Sequence, residues 1–281
     1  MIKIVTDSTA YLPQEFVEQH DIRVVPLNVL FGAQSYQEGI DIDYDQFYRM
    51  LAQANELPTT SQPAAGDFLK IYTELLEAGH DVISIHISSE LSGTVDSALA
   101  ARKMLPDPER VSVIDSLVTA MGLEVVVRFV LDAVEAGRDR NDIVALVEEL
   151  AKRVHLYFVV DTLEYLHKGG RIGGASALLG TVLQFKPILF LGEGKILPWG
   201  KVRTKRKAVS KLLDIIEEKV DGQSIGKICI GHAQTPGEAE SLTKELRQNL
   251  NCDELFVSQI GPVIGTHTGP GALGIAVYTS G

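Results

Sequence analysis

Asp81-Val-Ile-Ser-Ile-His86, the helical stretch Thr94 to Met104, and Val111-Ser-Val-Ile-Asp115 decide the fold. The first and third are short β-branched runs of buried-strand type. The stretch between them is long enough for a crossover helix, and that order sets the two strands parallel. Reading backwards extends the rhythm. Ala64 to Ala78 is a helix opened by Pro63 and closed by Gly79. Asp45 to Ala54 spaces Phe47, Met50, Leu51 and Ala54 along one helical face. Arg23 to Leu30 is extended, and Pro26 puts it at an edge or makes it irregular. Ile2-Lys-Ile-Val-Thr6 is a strand running into Asp7-Ser8-Thr9. Reading forwards, helices cover about 119–135 and 141–153.

The texture changes near His155-Leu-Tyr-Phe-Val-Val160. Gly169-Gly-Arg-Ile-Gly-Gly174 opens an uncharged, small-residue stretch, Ile172 to Phe185. Pro187 to Leu191, Gly192-Glu-Gly194 and Lys195 to Pro198 read as a hairpin with a Glu-Gly turn. A charged helix (Lys205–Lys219), a strand (Lys227–Gly231), a helix (Pro236–Asn249) and strands at Glu254–Gln259 and Leu273–Tyr278 follow. The expected architecture is two α/β domains, 1–155 and 156–281. The first has a mostly parallel sheet flanked by helices, the second a mixed sheet with helices. Parallel sheets bind ligands at the carboxyl ends of their strands, so chemistry is sought there.

Composition narrows the function. The 281 residues carry 26 Lys+Arg against 37 Asp+Glu, a formal charge of −11. Such an acidic surface argues against non-specific nucleic-acid binding. Hydrophobic residues make up 45%, enough to build a core and to exclude disorder. Cys229 and Cys252 form no disulfide framework or metal pattern, and Cys229 reads as a small core residue. Asp7 arrives too early for a signal peptide. The longest stretch without Asp, Glu, Lys or Arg is Leu255 to Gly281, and its six glycines and two prolines do not suit a membrane span. A reduced, cytoplasmic protein is expected.

Familiar catalytic patterns fail. Gly222-Gln-Ser-Ile-Gly226 matches GxSxG, but a helix precedes it and a strand follows, the reverse of a nucleophile elbow. No P-loop, HExxH, EF-hand loop or histidine metal spacing is present. No cofactor is expected. What remains is a set of small polar residues at strand-to-helix junctions. Pro58-Thr-Thr-Ser-Gln-Pro63 leads into one helix, and Ser88-Ser-Glu-Leu-Ser-Gly-Thr94 into another. Thr60, Ser61 and Ser92 either cap these helices or, if the two helix N-termini converge, build an anion site with their backbone N–H groups. Arg171 sits between glycine pairs, either as a solvated turn or as an anion partner. His267, in Gly265-Thr-His-Thr-Gly-Pro-Gly271, is poorly placed for a core histidine. Lys201-Val-Arg-Thr-Lys-Arg-Lys207 puts five basic residues in seven, either a solvated helix start or a docking patch.

Together these segments resemble the DegV family of fatty-acid-binding proteins. The resemblance is carried by Val5-Thr-Asp-Ser-Thr9, Thr60-Ser-Gln-Pro63, Ser88 to Thr94, Gly169-Gly-Arg-Ile172, Lys201 to Arg206 and Thr266-His-Thr-Gly-Pro-Gly271, in order along essentially the whole chain. It implies one long-chain fatty acid, such as palmitate, held in a tunnel between two α/β domains. It implies that Thr60 and Ser92 hold the carboxylate, that Arg171 and His267 join the polar network, and that Ser61 and Gly93 lie beside them. It further implies a separate fatty acid kinase as partner, to which the bound acid is presented for acyl-phosphate formation, with Arg203, Lys205 and Arg206 facing it. For the tunnel wall the candidates are Ile172–Phe185 and Pro187–Leu191. The competing expectation is a serine-dependent acyl hydrolase or transferase that uses Ser92 or Thr60 with His267.

Overall fold

The computed structural model describes residues 1–180, 185–223 and 225–279. In chain order the first half comprises β1 (Ile2–Asp7), α1 (Gln14–Gln19), β2 (Arg23–Val25), β3 (Asn28–Phe31), β4 (Gln34–Gln37), α2 (Tyr44–Gln53), β5 (Thr59–Ser61), α3 (Ala65–Glu77), β6 (Asp81–His86), α4 (Thr94–Lys103), β7 (Val111–Asp115), α5 (Met121–Glu135) and α6 (Arg140–Arg153). The second half continues with β8 (Val154–Val159), α7 (Glu164–Lys168), a 3-10 segment at Gly173–Leu178, β9 (Lys186–Gly192), β10 (Lys195–Val202), α8 (Lys205–Val220), β11 (Ile225–His232), α9 (Pro236–Asn249), β12 (Cys252–Gln259), α10 (Pro262–Thr268) and β13 (Leu273–Thr279).

β2, β1, β6 and β7 form a four-stranded, wholly parallel sheet in that order. Its strands are short apolar runs because helices flank them. The second sheet has six strands, ordered β10-β9-β8-β13-β11-β12, and is mixed: only β11 and β12 run parallel. The expected parallel and mixed sheets are both present, and Glu193 and Gly194 turn the β9–β10 hairpin with positive φ. A third sheet, β4-β3-β5, is antiparallel and was not anticipated. The extended run Arg23–Leu30 is in fact two strands in different sheets. Pro26, which lacks an N–H donor, separates them.

The helices begin and end where their chemistry dictates. The Asp43 carboxylate accepts the Gln46 N–H at 2.7 Å and starts α2, a cap worth about 1 kcal/mol. Past α3, Gly79 N–H donates to Leu76 O and His80 N–H to Leu75 O, the paired closure that a left-handed residue permits. α5 is apolar on nearly every face, because it lies between layers. It packs on β8, β11 and β13 on one side and reaches β1 on the other. Its one buried carboxylate, Glu124, is paired with Arg128 at 2.9 Å and accepts from Ser258 and Cys229. Cys229 is fully buried, as its apolar run suggests.

The Asp-Ser-Thr segment after β1 is a structural knot. Asp7 Oδ2 accepts the Ile87 N–H at 2.9 Å and faces His86 Nδ1 at 3.1 Å. His86 Nε2 meets Ser84 Oγ at 2.6 Å, and Ser84 meets the Tyr72 hydroxyl at 2.7 Å. All are buried, and this chain of hydrogen bonds ties β1, β6 and α3 together. The GxSxG match has α8 before it and β11 after it, and its Ser224 lies outside the described residues. Among the described residues no helix is long and apolar enough to cross a membrane.

Candidate functional site

A cavity of about 390 Å³ opens where the carboxyl ends of the parallel strands meet the second sheet. Its volume falls within the roughly 300–1,000 Å³ typical of small-molecule sites. Most of its wall is apolar, including Leu27, Ile87, Met121, Leu156, Phe158 and Val263. Its polar groups include Thr60, Ser61, Gln62, Ser92, Arg171 and His267. These come from four separate parts of the chain, and the fold brings them to one cavity.

Thr60 arrives on a strand. β5 pairs with β3, Thr60 opposite Val29, and α3 begins only at Ala65, with Asp67 accepting the Ala64 N–H at 2.9 Å. Thr60 and Ser61 therefore cap no helix, and the idea of two converging helix N-termini gives way to one strand and one helix. The reason is the unanticipated antiparallel sheet. Ser92 does lie at a helix start: its Oγ is 2.9 Å from Thr94 Oγ1, just ahead of α4. Gly93, the residue flanking α4, is not on the cavity wall. It lies against Gln62, whose Nε2 donates to Ser97 Oγ at 3.1 Å, and a side chain at Gly93 would collide with that amide.

His267 is helical, in the last turn of α10, rather than in a loop. It is 8% exposed, and its Nε2 is 2.8 Å from Thr60 Oγ1. Burial first, then the Arg171 charge, pushes its pKa down to about 4, so the ring is neutral at pH 7. Its Nδ1 is buried with no partner among the described residues. A proton there would be an orphan donor, so the favoured tautomer carries it on Nε2 and donates to Thr60. The Thr60 hydroxyl hydrogen is then free to point into the cavity. Arg171 is half-buried. Its Nε donates to Leu91 O at 3.1 Å and its Nη1 to Gly169 O at 2.9 Å, using two of five donors.

The tunnel candidates fare unevenly. Leu191, from Pro187–Leu191, lines the cavity. None of the described residues of Ile172–Phe185 does, and residues 181–184 lie outside the description. The small residues serve close packing instead. At Gly173, with φ +52°, a β-carbon would lie 2.6 Å from Ile196 O, so glycine lets this segment lie flat on β10. Signals that were missed include Gln62, inside the quoted Thr-Ser-Gln-Pro run, and Thr119, which follows a parallel strand as the strand-end rule requires.

The basic segment divides. Arg203 and Arg206 are exposed, whereas Lys205 is half-buried and turned inward. Lys205 Nζ donates to Gly271 O at 2.5 Å and pairs with Glu238 at 2.9 Å.

As an acyl-transfer site the geometry is incomplete. Thr60 does pair with His267, but no carboxylate orients Nδ1, and Ser92 bonds to Thr94 rather than to His267. Among the described residues no group of three His, Cys, Asp or Glu side chains is placed to hold a metal ion.

Three sheets flanked by helices, with a largely apolar cavity that gathers a cluster of polar side chains, define an α/β protein of the small-molecule-binding class. Residues 1–280 match the family described as "Uncharacterised protein, DegV family". The chain is 39% identical over 275 residues to Protein DegV of Bacillus subtilis, covering 98% of each. Among solved structures, "Fatty Acid Binding of a DegV family Protein from Thermus thermophilus" superposes with a TM-score of 0.94 at 36% identity, covering 99% of each chain. A stearic acid-binding protein from Eubacterium ventriosum superposes with a TM-score of 0.92 at 27% identity, over 99% of this chain and 98% of that one. The chain belongs to the DegV family, whose solved members include proteins described as binding fatty acids.

Proposed function

We propose that this protein binds one long-chain fatty acid in the cavity, without turning it over, and presents the carboxylate to a separate fatty acid kinase. The observation that carries the reading is the cavity itself: apolar over most of its wall, polar where Thr60, Ser92, Arg171 and His267 gather. Burying a methylene is worth roughly 0.8 kcal/mol, so the acyl chain supplies most of the affinity. The carboxylate must still be satisfied, because an unpaired buried charge is costly. The free hydroxyl hydrogen of Thr60, the Ser92 hydroxyl and the Arg171 fork do this, with Ser61 and Gly93 as their supports. The two halves, 1–155 and 156–281, act as two domains closing on one ligand. Sheet membership supports this, since the six-stranded sheet begins at Val154. The cytoplasm is where such a carrier meets a kinase.

The test is mass spectrometry of the purified protein, native and then after organic extraction. A native mass excess released as a long-chain acid, palmitate or another, supports the reading. A folded sample with no excess and no gain on adding palmitate or oleate refutes it. Arg203 and Arg206 are the exposed docking candidates, and Lys205 shapes the segment from within. Arg203→Ala is expected to slow kinase-dependent phosphorylation with lipid content unchanged. An unaltered rate removes Arg203 from the docking surface.

A further inference from the structure

Thr119 lines the cavity and is 8% exposed, yet its Oγ1 is buried with no hydrogen-bond partner among the described residues. Each other polar side chain of the wall makes at least one hydrogen bond, and His267 Nδ1 is the one further wall atom among the described residues that is buried without a partner. Thr60 meets His267, Ser92 meets Thr94, Gln62 meets Ser97, Arg171 holds two carbonyls and Thr268 donates to Ile264 O. Ser61 Oγ accepts from Asn28. A buried hydroxyl without a partner is costly, so its persistence calls for a partner that arrives with the ligand.

The backbone around Thr119 is held in a disfavoured shape. Leu117 has φ +55°, and Ala120 has φ +49° with ψ −128°, a region that penalises any side chain. Neighbouring contacts fix this turn. Ser88 N–H donates to Val118 O at 2.9 Å, and Ser116 Oγ donates to His86 O at 2.6 Å. Strain kept at a ligand wall by surrounding bonds is a mark of a functional position. Thr119 also leads directly into Ala120 and Met121, two apolar wall residues. Met121 rests on the six-stranded sheet at Gly231 and Gly274, whereas the carboxylate group of residues comes from β5, the start of α4, the end of α7 and α10. Thr119 thus adjoins the apolar wall residues Ala120 and Met121 and lies on none of the segments that carry Thr60, Ser92, Arg171 and His267.

We propose that Thr119 is a specificity-determining residue whose hydroxyl bonds an oxygen carried on the acyl chain, so that the cavity accommodates hydroxylated long-chain fatty acids. This rests on the fatty-acid reading above and names a ligand class within it. An unsubstituted chain leaves the Thr119 hydroxyl dry and unpaired. A chain hydroxyl at the matching depth pairs with it, and each group removes the other's desolvation penalty.

The experiment is competitive loading of delipidated protein with stearate and a panel of hydroxystearates substituted at successive chain positions, read by mass spectrometry after extraction. It compares wild type, Thr119→Val and Thr119→Ser. Removing an unpaired hydroxyl leaves folding intact, so Thr119→Val is a usable variant. For one position on the chain, Thr119→Val is expected to lower the hydroxystearate-to-stearate ratio about ten-fold, the scale of a buried hydroxyl losing its partner. Thr119→Ser retains the wild-type ratio. An unchanged ratio at every position overturns the proposal while stearate loading keeps the fatty-acid reading. Equal loss of all acids also overturns it and moves Thr119 to the carboxylate. If wild type loads no acid, both readings fall together.

Discussion

Replacing His267 with glutamine should alter how stability depends on pH, by an amount the structure sets. Burial and the neighbouring Arg171 hold the His267 pKa at about 4, against 6.5 for the free side chain. A base whose folded pKa is depressed is protonated first in the unfolded chain, which then binds more protons than the native one. Stability is therefore intact above about pH 6.5 and falls as pH drops toward 4. At about 1.4 kcal/mol per pKa unit, the loss between about pH 7.5 and pH 4.5 is about 2 to 3 kcal/mol for delipidated protein. His267→Gln keeps a polar group facing Thr60 and removes the titration. The assay is urea unfolding of wild type and variant across that range after delipidation. The difference in unfolding free energy should shift in favour of the variant by about 2 to 3 kcal/mol at the acid end. Parallel curves would refute the reasoning: His267 would then be able to protonate in the folded state as readily as in water.

Glu38 provides the opposite slope. Burial raises its pKa to about 7, against hydrogen bonds from Ser8 Oγ and Val263 N–H that favour the carboxylate. Its folded form resists ionising, so it lowers stability as pH rises from about 4.5 to 7, by about 3 kcal/mol in all. In Glu38→Gln that decline should disappear from the urea midpoints, and a persisting decline assigns it elsewhere. Thr60→Ala with Ser92→Ala should weaken fatty-acid retention while circular dichroism stays native, and full occupancy in the double variant would remove both hydroxyls from the carboxylate site. At Gly231 a β-carbon would lie 2.5 Å from the Met121 sulfur, and its nearest neighbours are all Met121 side-chain atoms. Gly231→Ala should drive Met121 into the cavity, with about four-fold weaker retention for each methylene expelled. Met121→Ala in the same chain should restore the longer acids, and an unchanged chain-length profile in Gly231→Ala would show that Met121 yields in another direction.

The sequence carried the parallel sheet plainly, since Asp81–His86 and Val111–Asp115 are continuous apolar runs around a helix. It carried the hairpin through the Glu-Gly turn. It did not carry β3-β4-β5, because strands of three or four residues with one solvated face show too few alternations to stand out. That sheet is also why Thr60 read as a helix cap. Four small motifs pointed to Thr60, Ser92, Arg171 and His267, and these do line one cavity. The apolar wall was illegible. Leu27 lies between β2 and β3, Met121, Leu156 and Val263 belong to three different elements, and each has the local pattern of an ordinary core residue. The described part of the small-residue stretch packs on β10 instead of lining the cavity, and glycines that permit close backbone packing look the same in sequence as glycines that make room for a ligand.

On the proposed fatty-acid reading, charge would make such a cavity select an acid over its neutral derivatives. Arg171 is the one permanently charged residue on the described wall, and two backbone carbonyls support it without neutralising it. His267 adds no charge, since it is neutral in the empty site. A second cation there would bind the carboxylate more tightly but would destabilise the empty protein, as like charges repel strongly where water is scarce. One guanidinium and one carboxylate leave the occupied site neutral, so the incoming anion removes a penalty rather than adding one. An ester or alcohol of the same chain fills the same apolar space but leaves Arg171 uncompensated. On the proposed head-group assignment, a carboxylate there would also favour a proton on His267, against the burial and Arg171 charge that lower its pKa in the empty site. Binding and proton uptake are therefore linked in one direction, and acid that costs the empty protein stability strengthens its hold on the ligand.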